Sequence, residues 1–246
     1  MSGSPNDTFE HHKEYFLPGG DLYLVAGDVL FRVHSFFFDR DSQWFRTNLN
    51  VAVAPNQPRP GSTESSPIVI QNTSSRDFAK FLWIFYNSTY SLYEASSSEW
   101  IAIIKIACEY DFIQAKHLAI RGLEQGNLSI VQRLTLYQLY KADPVYVVPL
   151  IAALCIRDEG PTDEETKEMG MATSLVIFRA RERIRSATPN DGRSPLPVGV
   201  DDDEVIQTIC SFLGLDSSRI NTASSKSSND KKGKQHQKGG QNGGGN

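Results

Sequence analysis

The sequence predicts an α+β protein in which a small sheet precedes a long series of helices. Three observations carry that reading. A hairpin pattern lies near the N-terminus, a short apolar strand follows a proline-rich loop, and helix-start signals recur from residue 74 onward.

The strands come first. Asp21-Leu-Tyr-Leu-Val-Ala and Val29-Leu-Phe-Arg-Val flank Gly27-Asp28. Two apolar runs around a Gly-X pair predict a β-hairpin with a type II′ turn. Phe37, Phe38, Trp44 and Phe45 then suggest the buried side of one or two short helices. Residues 54–67, with four prolines and a glycine, read as a flexible surface loop. Ile68-Val-Ile after it reads as a short buried strand.

The helices announce themselves by their caps. Ser74, Ser96, Ser129 and Thr162 each stand three residues before an acid or amide, at Asp77, Glu99, Gln132 and Glu165. Such pairs satisfy free amides of a helix's first turn from both directions. Asp143-Pro144 adds another start, with Asp as cap and Pro in the first turn. Apolar spacing places Phe78, Phe81, Leu82 and Phe85, then Trp100, Ile103, Ile104 and Ala107, on inner faces. Ile113, Leu118 and Ala119 suggest the core face of a helix over 112–123. Leu175, Val176 and Phe178 suggest that of a helix over 172–185.

Composition sets the boundaries and the excluded classes. The 246 residues are 39% hydrophobic, ordinary for a globular chain. Apolar runs are too short for a membrane span. The first residues lack the apolar stretch of a secretory signal, so a cytoplasmic or nuclear location is expected. Cys108, Cys155 and Cys210 are widely spaced within apolar stretches, as reduced core thiols would be. Residues 216–246 hold six basic and two acidic side chains, a net +4; the formal net charge of −4 therefore leaves the rest at −8. An acidic folded part argues against direct nucleic-acid binding. The expected organisation is a disordered N-terminus over 1–14, an α+β domain over 15–125, and a helical extension over 126–186. A linker over 187–200, a short amphipathic helix over 201–215 and a disordered tail over 216–246 complete it.

Three groups of residues carry a family resemblance. The first is Gly20-Asp21-Leu-Tyr-Leu-Val with Phe31-Arg-Val-His34 and Trp44-Phe45. The second is Pro67-Ile-Val-Ile, Asp77-Phe-x-x-Phe-Leu-x-x-Phe-Tyr86 and Trp100-Ile-Ala-Ile-Ile-Lys-Ile-Ala-Cys-Glu-Tyr-Asp-Phe. Over Asp21–Leu123 these resemble the BTB/POZ domain. The third spans Leu128–Arg185: Pro149 to Asp158 as Pro-Leu-x-x-x-Leu-x-x-Arg-Asp, an acidic stretch Glu164–Gly170, and Arg181-Glu-Arg183. It is similar to the helical extension of fungal, basidiomycete-type BTB proteins. The resemblance implies a BTB/POZ fold, a small sheet flanked by clustered helices, followed by an all-α extension. It makes Asp21, His34, Trp44, Phe45 and Trp100 structural motif residues. It also implies a non-enzymatic scaffold or adaptor with protein partners. Those partners would be a second copy of the chain, as a homodimer, or a cullin-type ubiquitin-ligase scaffold. No cofactor, metal, membrane, nucleic acid or small-molecule substrate is implied. Many animal members exchange an N-terminal helix and strand between subunits, and residues 1–14 are too short and polar for that. A nuclear transcriptional or chromatin co-regulator acting through protein contacts is the alternative.

Sharper readings compete with bland ones at a few positions. His34 reads as a structural histidine at a helix start, since no nucleophile motif surrounds it. His11 and His12 read as solvated, and Pro18-Gly19-Gly20 precedes a strand, unlike a phosphate loop. Asp39 and Asp41 flank Arg40 in an expected loop. Arg179, Arg181, Arg183 and Arg185 suggest ion pairs with the acidic helix 163–168 and helix capping, or a docking surface for an acidic partner. Ile206, Ile209, Leu213 and Leu215 suggest an interaction segment resembling a leucine-rich export signal, or a helix packed back on the domain.

Overall fold

A computed structural model describes residues 9–52, 54, 57–88, 93–186 and 201–220. The protein is α+β, and its chain divides into two units between Leu128 and Ser129.

In the first unit, β2 (Leu22–Ala26) and β3 (Val29–Val33) form the expected hairpin, with Ala26 opposite Val29. Gly27 takes φ 59° and Asp28 does not turn positive, as a type II′ turn requires. β4 (Ile68–Ile70) adds to β2 in parallel. β1 (Glu10–Phe16) adds in parallel to the other side of β3, giving the order β1-β3-β2-β4.

β1 corrects the expectation of disorder over 1–14, of which residues 1–8 lie outside the described residues. The strand reads as polar because it forms one edge of the sheet and buries only Tyr15. Its histidines supply the missing apolar surface: His11 stacks on Phe16 at 3.8 Å and His12 on Phe31 at 4.7 Å. A second correction concerns the 54–67 loop. Its described part is tied to the sheet, where the Tyr23 amide donates to the Gly61 carbonyl at 2.8 Å. Gly61 sits at φ 78°, and a Cβ there would meet Leu22 at 2.7 Å. Only glycine combines that torsion with that approach.

Helices α1 (Ser35–Asp41), α2 (Gln43–Leu49), α3 (Ser75–Tyr86), α4 (Ser97–Glu109) and α5 (Ile113–Glu124) complete the unit. Asp39, Arg40 and Asp41 therefore belong to a helix and not to a loop. Ser96 and Glu99 close a full capping box at α4, and Ser74 caps α3. The buried face of α5 is Ala115, Ala119, Ile120 and Leu123, which leaves Ile113 60% exposed. Small residues let α5 approach α4 closely, so size and not hydropathy sets its phase.

In the second unit, α6 (Ile130–Leu139) starts on the Ser129–Gln132 box, and α7 (Pro144–Ile156) starts on Asp143. α8 (Asp163–Ser186) breaks at Gly170, where φ is 78° and ψ 162°. α9 (Asp202–Leu213) is capped by Asp201 and ended by left-handed Gly214. The Leu215 amide then returns to the Cys210 carbonyl at 2.9 Å, a Schellman-type close. Ile220 is buried, so packed chain continues past the expected tail boundary at 216. The expected linker 187–200 and residues 221–246 of the expected tail lie outside the described residues.

The arginines of α8 do cap a helix, but it is α7. The Arg181 guanidinium donates to the carbonyls of Leu154 (2.9 Å), Cys155 (3.0 Å), Arg157 (2.7 Å) and Asp158 (3.0 Å). Arg185 adds bonds to Cys155 and Arg157. The carbonyls of Leu154 and Cys155 belong to the last turn of α7, at the negative end of its dipole, where carbonyls have no helical partner. The acidic stretch pairs elsewhere, with Glu165 bonded to Arg157. That bond holds the Glu165 carboxyl down at about 2, against burial and with help from the Thr162 amide. Among the described residues, no helix is long and apolar enough to cross a membrane.

Two substitutions test this account. A Cβ on Gly122 would fall 2.2 Å from the Trp100 ring. Gly122→Ala should therefore cost about 2 kcal/mol or more in urea unfolding. Arg181→Met strands buried carbonyls and should cost about 3 kcal/mol. Exposed Arg179→Met should stay within about 0.5 kcal/mol of wild type in the same measurement.

Candidate docking surface

The start of α1 gathers two of the five motif residues. α1 has no side-chain cap of its own at His34. Asp21 supplies one from the preceding strand end, accepting from the Ser35 amide and hydroxyl, both at 2.7 Å. Burial pushes the Asp21 carboxyl up, but the Ser35 bonds and the nearby His34 outweigh it, and the net shift is downward. The His34 amide donates to the Tyr86 hydroxyl at 2.9 Å, and His34 Nδ1 lies 3.1 Å from the same oxygen. The Ser35 hydroxyl is thus bonded to the carboxylate and not to the imidazole. The geometry orients the first turn of α1.

The other three motif residues lie in the packing. Phe45 is buried and meets Phe38 edge-on at 4.8 Å. Trp44 is half-buried and stands edge-on to Tyr110 at 5.0 Å. Trp100 is buried over Gly122. Burial pushes the Cys155 thiol up to about 11, against the pull of Arg181 and Arg185, so it remains an inert core thiol. Among the described residues, no group of three or more His, Cys, Asp or Glu could hold a metal ion. Ile209 is fully buried and Ile206, Leu213 and Leu215 are half-buried as α9 packs on α7 and α8. The folded chain therefore withholds Ile209 from a partner.

A groove of about 350 Å³ remains between α1, the end of α3 and α5. Phe37, Ile84, Phe85, Phe112 and Leu118 form its apolar lining. Arg40 and Arg121 stand at it, with Asp41 bonded to Arg40 through both oxygens at 2.6 Å. Phe36, 63% exposed, lies beneath the Arg40 guanidinium at 5.3 Å from ring centre. The helix patterns place Phe37 and Leu118 in the core, and the structure puts both at this groove. The aromatic triplet Phe36-Phe37-Phe38 holds the readable clue. A seven-residue helix turns only one of three consecutive rings fully inward, here Phe38.

No protein-family model matches the chain, and no curated protein matches it.

The Asp21 cap generates a pH test. Asp21→Ala should lower stability by about 1–2 kcal/mol at neutral pH. A depressed carboxyl stabilises the fold above its ordinary value near about 4 and loses that contribution as pH falls below it. The difference in urea unfolding between wild type and variant should therefore shrink as pH falls below about 4.

Proposed function

We propose that this chain is a protein-interaction module of the BTB/POZ type, acting as a scaffold or adaptor. The groove beside α1 carries the reading: an apolar lining under arginines suits an apolar side chain from another protein. Phe36, exposed and edge-on to the lining ring of Phe37 at 5.5 Å, would extend the contact. On the BTB resemblance, the occupant is a second copy of the chain or the helical face of a cullin-type scaffold. The α6–α9 extension would then hold or present a client.

The test uses the full chain. Sedimentation analysis reports self-association, and titration with a purified cullin N-terminal domain reports the other partner. A defined oligomer, a cullin complex, or both are expected. Leu118→Arg should weaken the observed association by tenfold or more, about 1.4 kcal/mol. Leu118 is only partly buried, so thermal unfolding verifies that the variant remains folded. A strictly monomeric chain without cullin affinity would overturn the proposal.

A further inference from the structure

β1 departs from its partner strand at one place. It pairs with β3 at Glu10, His11 and Phe16, and the register shifts between His11 and Phe16. The intervening residues bulge, and His12 stands at the start of the bulge. Its Nδ1 accepts from the amides of Glu14 at 3.2 Å and Tyr15 at 3.1 Å. The ring lies on Phe31 at 4.7 Å and on Tyr15 at 5.3 Å. A nitrogen that accepts two amide protons needs its lone pair free, so the imidazole is neutral with its proton on Nε2.

We propose that His12 is a proton-operated clamp on β1: neutral, it holds the bulge shut, and protonated, it releases the Glu14 and Tyr15 amides. Protonation would place an N–H against two N–H donors and a charge at a half-buried position. The charged groups nearby do not reverse this. Glu14 on the same strand favours the proton, but burial outweighs it and the net shift of His12 is downward. Lys13 is exposed beside it. On β3 the clamp meets the Phe31 ring, while the neighbouring Arg32 donates to the Gly20 carbonyl at 2.7 Å and lies over Tyr23. From α3 comes the Tyr86 phenol, tilted against Tyr15 at 5.9 Å. On β1 itself, His11 Nε2 lies 2.7 Å from the Glu64 carboxylate.

The sign follows from linkage. A histidine whose value is lowered in the closed state binds its proton better when the bulge is open. Closure is therefore complete at neutral pH and is lost as pH falls below about 6.5, by up to tenfold per unit. Opening would free Tyr15 from Tyr86, whose ring also meets Phe37 edge-on at 5.4 Å. The clamp thus adjoins the groove lining, though it does not depend on what the groove binds.

Amide hydrogen exchange on the full chain, corrected for intrinsic rates, tests this between about pH 7.5 and about pH 5.5. Protection of Glu14 and Tyr15 should fall, by up to about tenfold, while Leu24 and Phe31 keep theirs. In His12→Asn the amide oxygen can accept the same bonds without titrating, so protection should be independent of pH. Flat wild-type protection would overturn the clamp, as would a His12→Asn variant with the wild-type slope, which would place the effect outside His12. If the variant is unprotected at every pH, nitrogen chemical shifts of the wild-type ring decide. An unprotonated Nδ1 that titrates with the exchange midpoint supports the clamp, and a protonated Nδ1 at neutral pH or a separate midpoint overturns it.

Discussion

The first unit turns on the ring of Phe112. Four other rings reach it from three helices: Phe38 of α1 at 5.7 Å, Phe45 of α2 at 5.8 Å, and Phe81 and Phe85 of α3 at 5.0 and 5.9 Å. Its place between α4 and α5 depends on Asp111, which takes φ 54° and turns the chain sharply. A short polar bridge fixes the same point. Buried Ser42 donates to the Tyr110 carbonyl at 2.5 Å and accepts from the Phe45 amide at 2.9 Å, and it pairs across to Phe112. One hydroxyl thereby caps α2 and anchors it to the α4–α5 turn. Aromatic packing supplies most of the burial here, and the serine supplies the register.

The second unit solves a different problem. α7 is apolar along most of its length, so it packs readily but presents a bare C-terminus inside the fold. Pro149 already removes one helical donor within it. A buried guanidinium has enough donors, in a fixed fork, to serve several carbonyls at once. Arg181 does so, and it ties the far end of α8 to the end of α7. A lysine would offer a point charge in place of that fork.

What was legible in the sequence was local. The serine and threonine caps of α3, α4, α6 and α8 each act within three residues, so spacing alone reveals them. The hairpin turn at Gly27 is equally short-range. The illegible parts were set at a distance. β1 is a strand because β3 offers an edge and Phe31 offers a surface to His12, and neither fact lies in residues 10–16. The inner faces of α5 and α8 are only partly legible for a related reason: Ala119 is buried as its pattern suggests, while Ile113, Leu175 and Phe178 are exposed. Both helices carry apolar residues on more than one side, and packing chose between them. Inside lie Ala115 and Ala119, or Ile177 and Ala180; outside lie Ile113, or Leu175 and Phe178. The motif residues were legible as a pattern, but the bonds of Asp21 to Ser35 and of His34 to Tyr86 join positions 14 and 52 residues apart.

That choice also bears on function. Folding alone would favour turning every large apolar side chain inward, at about 25 cal/mol for each Å² removed from water. The core around Phe112 is already closed by Phe38, Phe45 and Phe81, all essentially buried. Phe36, Phe37 and Ile113 are therefore surplus to it, and two of them stay largely in water. Scattered exposed side chains need no explanation. Phe37, half-buried in the lining of an aromatic groove, is a different case, because its open side can be buried only by a second surface. The arginines sharpen the point. Arg40 spreads over Phe36 and Phe37 at 5.3 and 5.4 Å while bound to Asp41, which screens the rings without covering them. Such a surface remains soluble alone and still gains from being covered, and that balance is what reversible association requires.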